Sequence, residues 1–233
     1  MINNIEKTKE YFDKSYRKLR PIKKTKQLEI VKATASSLEG KLQGAVLDIG
    51  SGGRIDYSLE NINKLVSFDI SSESLESSKK SEKVQIVHGD ARRLNMQSNI
   101  FDRVIILHTI HHLAGNNLFK TYSNVKDCVT ESYRVLKDKG KILVIDAVCS
   151  NLAQKVENLS FGVLYLILQL FNKPMVYYSS LSGIVDVMVK VGFKDINFSY
   201  LNTKNAILCP FTSKIGIPFK YTPLSHVLIE GIK

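Results

Sequence analysis

The stretch Val46-Leu47-Asp48-Ile49-Gly50-Ser51-Gly52-Gly53-Arg54 constrains the fold more than any other part of the chain. A short apolar run, Ala45 to Ile49, enters a cluster of glycines, the pattern of a buried parallel strand that turns sharply at its carboxyl end. A glycine turn between a strand and a helix lets a ligand come close to the backbone, and the N-terminus of that helix offers N–H groups to an anion. A nucleotide site is therefore expected here. The dinucleotide spacing GxGxxG needs glycine at position 55, where Ile55 stands, so an NAD site is disfavoured.

Similar short apolar runs recur at Leu65 to Phe68, Val84 to Val87, Val104 to Leu107 and Ile142 to Ile145, separated by stretches long enough for helices. This alternation predicts an α/β fold around a parallel sheet. Thr121 to Leu136 is expected as the helix before the fifth strand, with Gly140 in the turn after it. Upstream, residues 5–38 are expected as two helices broken near Pro21. Downstream, Asn151 to Tyr178 reads as an inserted helical segment ended by Pro174, and Leu181 to Val191 as a helix closed by Gly192. Ile196 to Tyr200 and His226 to Glu230 are expected as the last strands.

Four ordered motifs together resemble the class I S-adenosylmethionine-dependent methyltransferases. The glycine turn with Asp48 two residues before Gly50 is similar to the family's motif I, with Arg54 where the family often has a further glycine. Asp69 closes the second strand, 21 residues after Asp48, where a carboxylate can accept both ribose hydroxyls of an adenosine. His88-Gly89-Asp90-Ala91 resembles the adenine loop, and Phe101-Asp102-Arg103-Val104 leads to His108-Thr109-Ile110-His111-His112-Leu113. That ending resembles small-molecule methyltransferases of the ubiquinone-biosynthesis type (methyltransferase type 11), and also tRNA wobble-uridine methyltransferases. The resemblance covers about residues 40–147.

It implies a Rossmann-like, seven-stranded, mostly parallel sheet of order 3-2-1-4-5-7-6 with helices on both faces. The implied cofactor is S-adenosylmethionine, contacted by Asp48, Gly50, Ser51, Gly52, Gly53, Asp69, Ile70, Asp90, Ala91 and His108. In the bland alternatives Asp48 braces the turn and Asp90 caps a helix. His111 and His112 are candidate bases because imidazole titrates near neutrality, and Asp146, at the end of the fifth strand, faces the same edge. Packing or cofactor contact is the competing role for the histidines, and a cap or anchor that for Asp146. No metal is expected: His108 and His112 stand four apart without an assigned third ligand.

A single domain over residues 1–233 is expected, with an N-terminal helical cap (1–38), a cofactor-binding core (40–147), an inserted substrate or lid segment (148–180), and a C-terminal helix and strands (181–233). The preferred acceptor is a small, apolar molecule, since Phe161, Leu164, Tyr165, Leu168, Phe171 and Tyr177 would lie near the site. The chain carries a formal charge of +11, crowded at Lys14, Arg17, Lys18, Arg20, Lys23, Lys24 and Lys26. That keeps an RNA acceptor open, as well as peripheral contact with an anionic membrane. Arg54 keeps a non-catalytic binding module open. The run Leu159 to Phe171 is too short to span a bilayer. Cys128, Cys149 and Cys209 form no CxxC pair and Met1 precedes no apolar leader, so a cytoplasmic protein is expected. Nothing in the sequence fixes the oligomeric state.

Overall fold

The computed structural model describes residues 3–16, 25–75, 81–201 and 224–233. The break expected near Pro21, the basic residues from Arg17 to Lys24, and Cys209 lie outside them. So do the side chains of Tyr16 and Lys26.

Seven strands form one sheet: β1 (Gly44–Ile49), β2 (Ile62–Asp69), β3 (Val84–His88), β4 (Phe101–Leu107), β5 (Leu136–Cys149), β6 (Lys194–Tyr200) and β7 (Leu224–Ile232). Their order is β3-β2-β1-β4-β5-β7-β6. β1 to β5 run parallel, and β7 pairs antiparallel with both β5 and β6. The central strands are apolar on both faces because both are covered. Leu47 and Ile49 of β1 join the cluster containing Val104 and Ile106 of β4, packed under α4 (Leu118–Val135) and α6 (Leu181–Val191). Val46 points to the opposite face with Leu65, Ile105 and Leu143, against Leu38 of α2 (Thr25–Leu38).

Two connections depart from the helical reading. No α-helix follows the glycine turn, because residues 50–61 form a non-helical loop before β2. Gly50, Gly52 and Gly53 all take left-handed φ values (72°, 56° and 68°), which a right-handed helix does not admit. Beyond them Tyr57 is drawn into the core, where its hydroxyl donates to Asp48 Oδ2 at 2.6 Å. The helix N-terminus expected to meet an anion is therefore absent. One helical turn, α3 (Ser72–Leu75), follows β2, and residues 89–100 before β4 also contain no helix.

Gly140 lies inside β5 rather than in a turn before it. Pairing jumps from Phe101 with Leu136 to Arg103 with Lys141, and the intervening bulge places Lys139 at φ 62°. The inserted helix, α5 (Asn151–Leu170), begins at Ser150, whose side chain accepts from Ala153 N. It stops before Pro174: Asn172 takes φ 50°, and Lys173 N donates to Leu168 O, a left-handed ending that needs no proline. α6 is closed by Gly192 at φ 115°, as expected. No helix among the described residues is long and apolar enough to cross a membrane.

Candidate active site

A cavity of about 260 Å³ opens at the carboxyl ends of β1, β2 and β4, under α1 (Asn4–Tyr16). Of the residues singled out from the sequence, Asp48, Gly50, Ser51, Gly52, Asp69, Ile70, Asp90, Ala91, His108 and His112 line it. Gly53, His111 and Asp146 do not. Gly53 stands behind the turn, its N–H donating to Ser51 Oγ at 3.2 Å.

The turn is held by local geometry. Gly50 N and Ser51 N both donate to Phe68 O, at 2.8 and 3.2 Å, joining the turn to the end of β2. A Cβ on Gly50 would stand 2.2 Å from Thr109 Oγ1, and a Cβ on Gly89 would stand 2.6 Å from the Phe68 ring. Gly50→Ala is therefore expected to cost about 1–3 kcal/mol in urea denaturation, from the left-handed φ and the clash together. Adding Thr109→Ala should restore part of it, and wild-type stability in the single variant would show that the turn tolerates a side chain.

Four carboxylates line the same space. Asp48 is fully buried; Oδ2 accepts from Tyr57, and Oδ1 has no hydrogen-bond partner among the described residues. Burial pushes its carboxyl up to about 7, with the nearby Asp69 charge adding and the Tyr57 hydrogen bond opposing. Asp69 accepts from Gly52 N through Oδ2 and from Ser71 N through Oδ1, both at 2.8 Å, and burial raises its pKa despite these bonds. Asp90 is gripped by Arg92, which donates through Nη2 at 2.5 Å and through Nε. Burial acts against ionisation there, but the Arg92 contacts outweigh it and hold the carboxyl below its usual range. Since no helix follows Asp90, the helix-cap alternative is removed. Asp56 pairs with Arg54 at 2.6 Å, so the arginine in the glycine loop borders the cavity as half of an ion pair.

The histidines divide into two groups. His108, at φ 52°, shares a hydrogen bond between Nε2 and Thr34 Oγ1 at 3.0 Å and meets His226 edge-on. His112 lies edge-on to Phe12 with centroids 4.9 Å apart, and its Nδ1 has no hydrogen-bond partner among the described residues. Burial keeps both imidazoles neutral, His112 with a pKa well below the usual value. His111 turns away from the cavity, its Nδ1 bonded to Asp146 Oδ1 at 2.5 Å and its ring stacked on Tyr178. Among the described residues, no group of three or more His, Cys, Asp or Glu side chains is arranged to hold a metal.

The cavity also has walls the motifs did not mark. Ile5, Thr8 and Phe12 of α1 reach down at helical spacing, whereas Tyr11, beside them in sequence, points outward. Val31 and Thr34 come from α2, and Tyr57 from the loop. The i, i+3, i+7 spacing on α1 was visible in sequence; what it packs against was not. None of the six apolar residues expected from the inserted segment lines the cavity. Phe161, Tyr165, Leu168 and Tyr177 pack together with Ala114 and Met175, while Leu164 and Phe171 are exposed.

The sheet order and the matched sequence define a class I S-adenosylmethionine-dependent methyltransferase. Residues 47–144 match the family model described as a methyltransferase domain. Among solved structures, the chain is similar to a putative methyltransferase from Haloferax volcanii in complex with the Trm112 methyltransferase activator. The TM-score is 0.63 at 12% identity, over 98% of this chain and 96% of that one. It is also similar to geranyl diphosphate C-methyltransferase from Streptomyces coelicolor, in complex with Mg2+, geranyl diphosphate and S-adenosylhomocysteine, with a TM-score of 0.63 at 11% identity over 98% and 97% of the chains. A possible histamine N-methyltransferase from Thermotoga maritima shares 21% identity over 88% of each chain, with a TM-score of 0.53. These likenesses are of fold. No curated protein matches the sequence.

Proposed function

We propose that the cavity under α1 holds S-adenosylmethionine and that the chain, acting as one domain, transfers the methyl group to a small, apolar acceptor. The observation that carries this reading is Asp48 Oδ1, a buried carboxylate oxygen without a partner among the described residues, on a carboxylate that lines the cavity. Such an oxygen is costly unless a cation meets it, and the ammonium of the methionyl group is a cation of suitable reach. Asp69 and Ile70 would take the ribose. Asp90, beside its Arg92 ion pair, would take the adenine amine, and Ala91 the ring through its backbone. Gly50 and Gly52 keep the turn open to a ligand.

The bound cofactor supplies a methyl group on a sulfonium, open to in-line displacement. The acceptor atom bonds to the methyl carbon as the carbon–sulfur bond breaks, the electron pair stays on sulfur, and any acceptor proton passes to a base. This chain's part is to position the reactants and exclude water. Ile5, Phe12, Val31, Leu107 and Leu113 give the cavity its apolar walls, which support an apolar acceptor. His112 faces them with a neutral ring and an unengaged Nδ1, and is the group placed to receive a hydrogen bond or proton. His111, oriented by Asp146, backs it at a ring distance of 4.1 Å.

His112→Ala is expected to lower kcat about tenfold, the worth of one buried hydrogen bond in the transition state, with the Kd for S-adenosylhomocysteine within about twofold of wild type. An equal loss in both quantities would make His112 a cofactor contact instead. The reading as a whole is tested by calorimetry with S-adenosylhomocysteine and NADH, followed by tritiated methyl transfer into fractionated lipids, small metabolites and RNA. Label in RNA, with binding that falls steeply as salt rises, would move the acceptor to the basic stretch from Lys14 to Lys26.

A further inference from the structure

We propose that the outward face of α5 docks the protein onto an anionic phospholipid bilayer. Leu152, Val156, Leu159, Val163, Leu166 and Leu170 follow one another at steps of four and three, which draws one line along this 20-residue helix. They stand in solvent: Leu159 is 91% exposed, Leu170 85% and Leu152 73%. Leu164, Ile167 and Phe171 on the adjoining row are exposed too, so the apolar face is wider than the seam that pairs two helices. The opposite side is already used, with Phe161, Tyr165 and Leu168 packed against Ala114, Met175 and Tyr177. α5 thus has two apolar faces, and no described residue covers the outer one. Since the helix is not apolar enough to cross a membrane, a bilayer would receive it lying flat.

Charge selects the occupant. A second copy seated face to face would bring the lysines that border this face against one another, whereas an anionic lipid surface attracts them. Lys155 is exposed on α5 itself, Lys173 lies just past its end with Nζ 5.8 Å from the Tyr11 ring centroid, and Lys7 of α1 bonds to Gln169. The proposal goes beyond the methyl-transfer reading and does not depend on it.

The test is co-sedimentation of the full chain with vesicles of phosphatidylcholine alone or mixed with phosphatidylglycerol. Wild type is expected to partition onto the mixed vesicles. Leu159→Glu/Leu166→Glu/Leu170→Glu should partition at least about tenfold less, since it sets three carboxylates in the face that meets lipid. The replaced side chains stand in solvent, so its circular dichroism, Tm and S-adenosylhomocysteine affinity should match wild type. Lys155→Glu/Lys173→Glu, which leaves the apolar face intact, should lose the preference for phosphatidylglycerol. The proposal is overturned if wild type ignores both vesicles or if the triple variant binds as well as wild type. A lipid-free dimer that the triple variant dissociates would also overturn it and assign the face to a second copy. Failure of S-adenosylhomocysteine to bind would count against the methyl-transfer reading and leave the vesicle result standing.

Discussion

Asp69→Ala is expected to lower affinity for S-adenosylhomocysteine at least tenfold and to destabilise the protein before any ligand is added. The carboxylate is buried and accepts two backbone N–H groups, from Gly52 in the turn and from Ser71 after β2. Alanine removes both acceptors. Each buried N–H left unmet costs about 1–3 kcal/mol, partly offset because alanine also removes a carboxylate that burial penalises, so the net loss is about 1–4 kcal/mol. In a chain of this size that lowers Tm by on the order of 10 °C. The proposed ribose contact disappears as well, and one charge-assisted hydrogen bond corresponds to about a tenfold change in Kd. Asp69→Asn, which keeps a carbonyl acceptor, should fall between the two. Calorimetry on the folded variant separates the effects, and unchanged affinity would remove Asp69 from the cofactor site.

Asp48→Asn should make the empty protein more stable at pH 8, by up to about 4 kcal/mol. The folded carboxyl titrates at about 7, while an unfolded aspartate titrates near 3.9. Between these values the native state keeps a proton that the unfolded state has released. The stability this group contributes is therefore complete below about pH 4 and is lost as pH rises through 7. Asparagine carries no such dependence and can still accept from Tyr57. The advantage of the variant should shrink to below about 2 kcal/mol at pH 5. Buried His108, His112 and His226 act in the opposite sense, since their lowered pKa values make stability fall below about pH 6.5. They are common to both proteins and cancel in the difference. Cofactor affinity should respond inversely: it should rise from pH 6 to pH 8 in wild type as Asp48 ionises, and stay flat and weak in the variant. Identical urea curves at both pH values would show that Asp48 is not strained in the empty protein.

Much of this was legible in sequence where local chemistry decides. The runs around Leu47, Val66, Val104 and Ile142 mark strands because two buried faces demand continuous apolar residues. Gly50 and Asp69 stand at the cavity because a turn and a strand end fix their positions. The loop at 50–61 was not legible, since the left-handed glycines and the reach of Tyr57 to a buried acceptor on β1, Asp48, show only in the folded chain. Likewise, the apolar content of α5 showed that the helix needs company without saying on which side. Phe161 and Leu164 look alike in sequence; contact with Met175 and Ala114 makes one core, and its absence leaves the other in solvent. His111 and His112 are adjacent and identical, yet only one reaches the cavity, because Asp146 captures the other.

The attachment of α1 bears on time as well as affinity. At one end the Asn4 side chain donates to Ala114 O and Met175 O and accepts from Met175 N; near the other, Ser71 donates to Asp13 at 2.6 Å. The helix that lays Ile5, Thr8 and Phe12 over the cavity is thus pinned on both sides of it. Ser71 is also the residue whose N–H braces Asp69, so the latch on the roof and the carboxylate beneath it share one anchor. If a molecule seated in the cavity leaves past α1, its off-rate is expected to follow how often that anchor releases, a quantity distinct from the strength of the contacts below. Tightness and residence time would then be separate properties, the first set by the glycine turn and its acids, the second by the helix that comes before them.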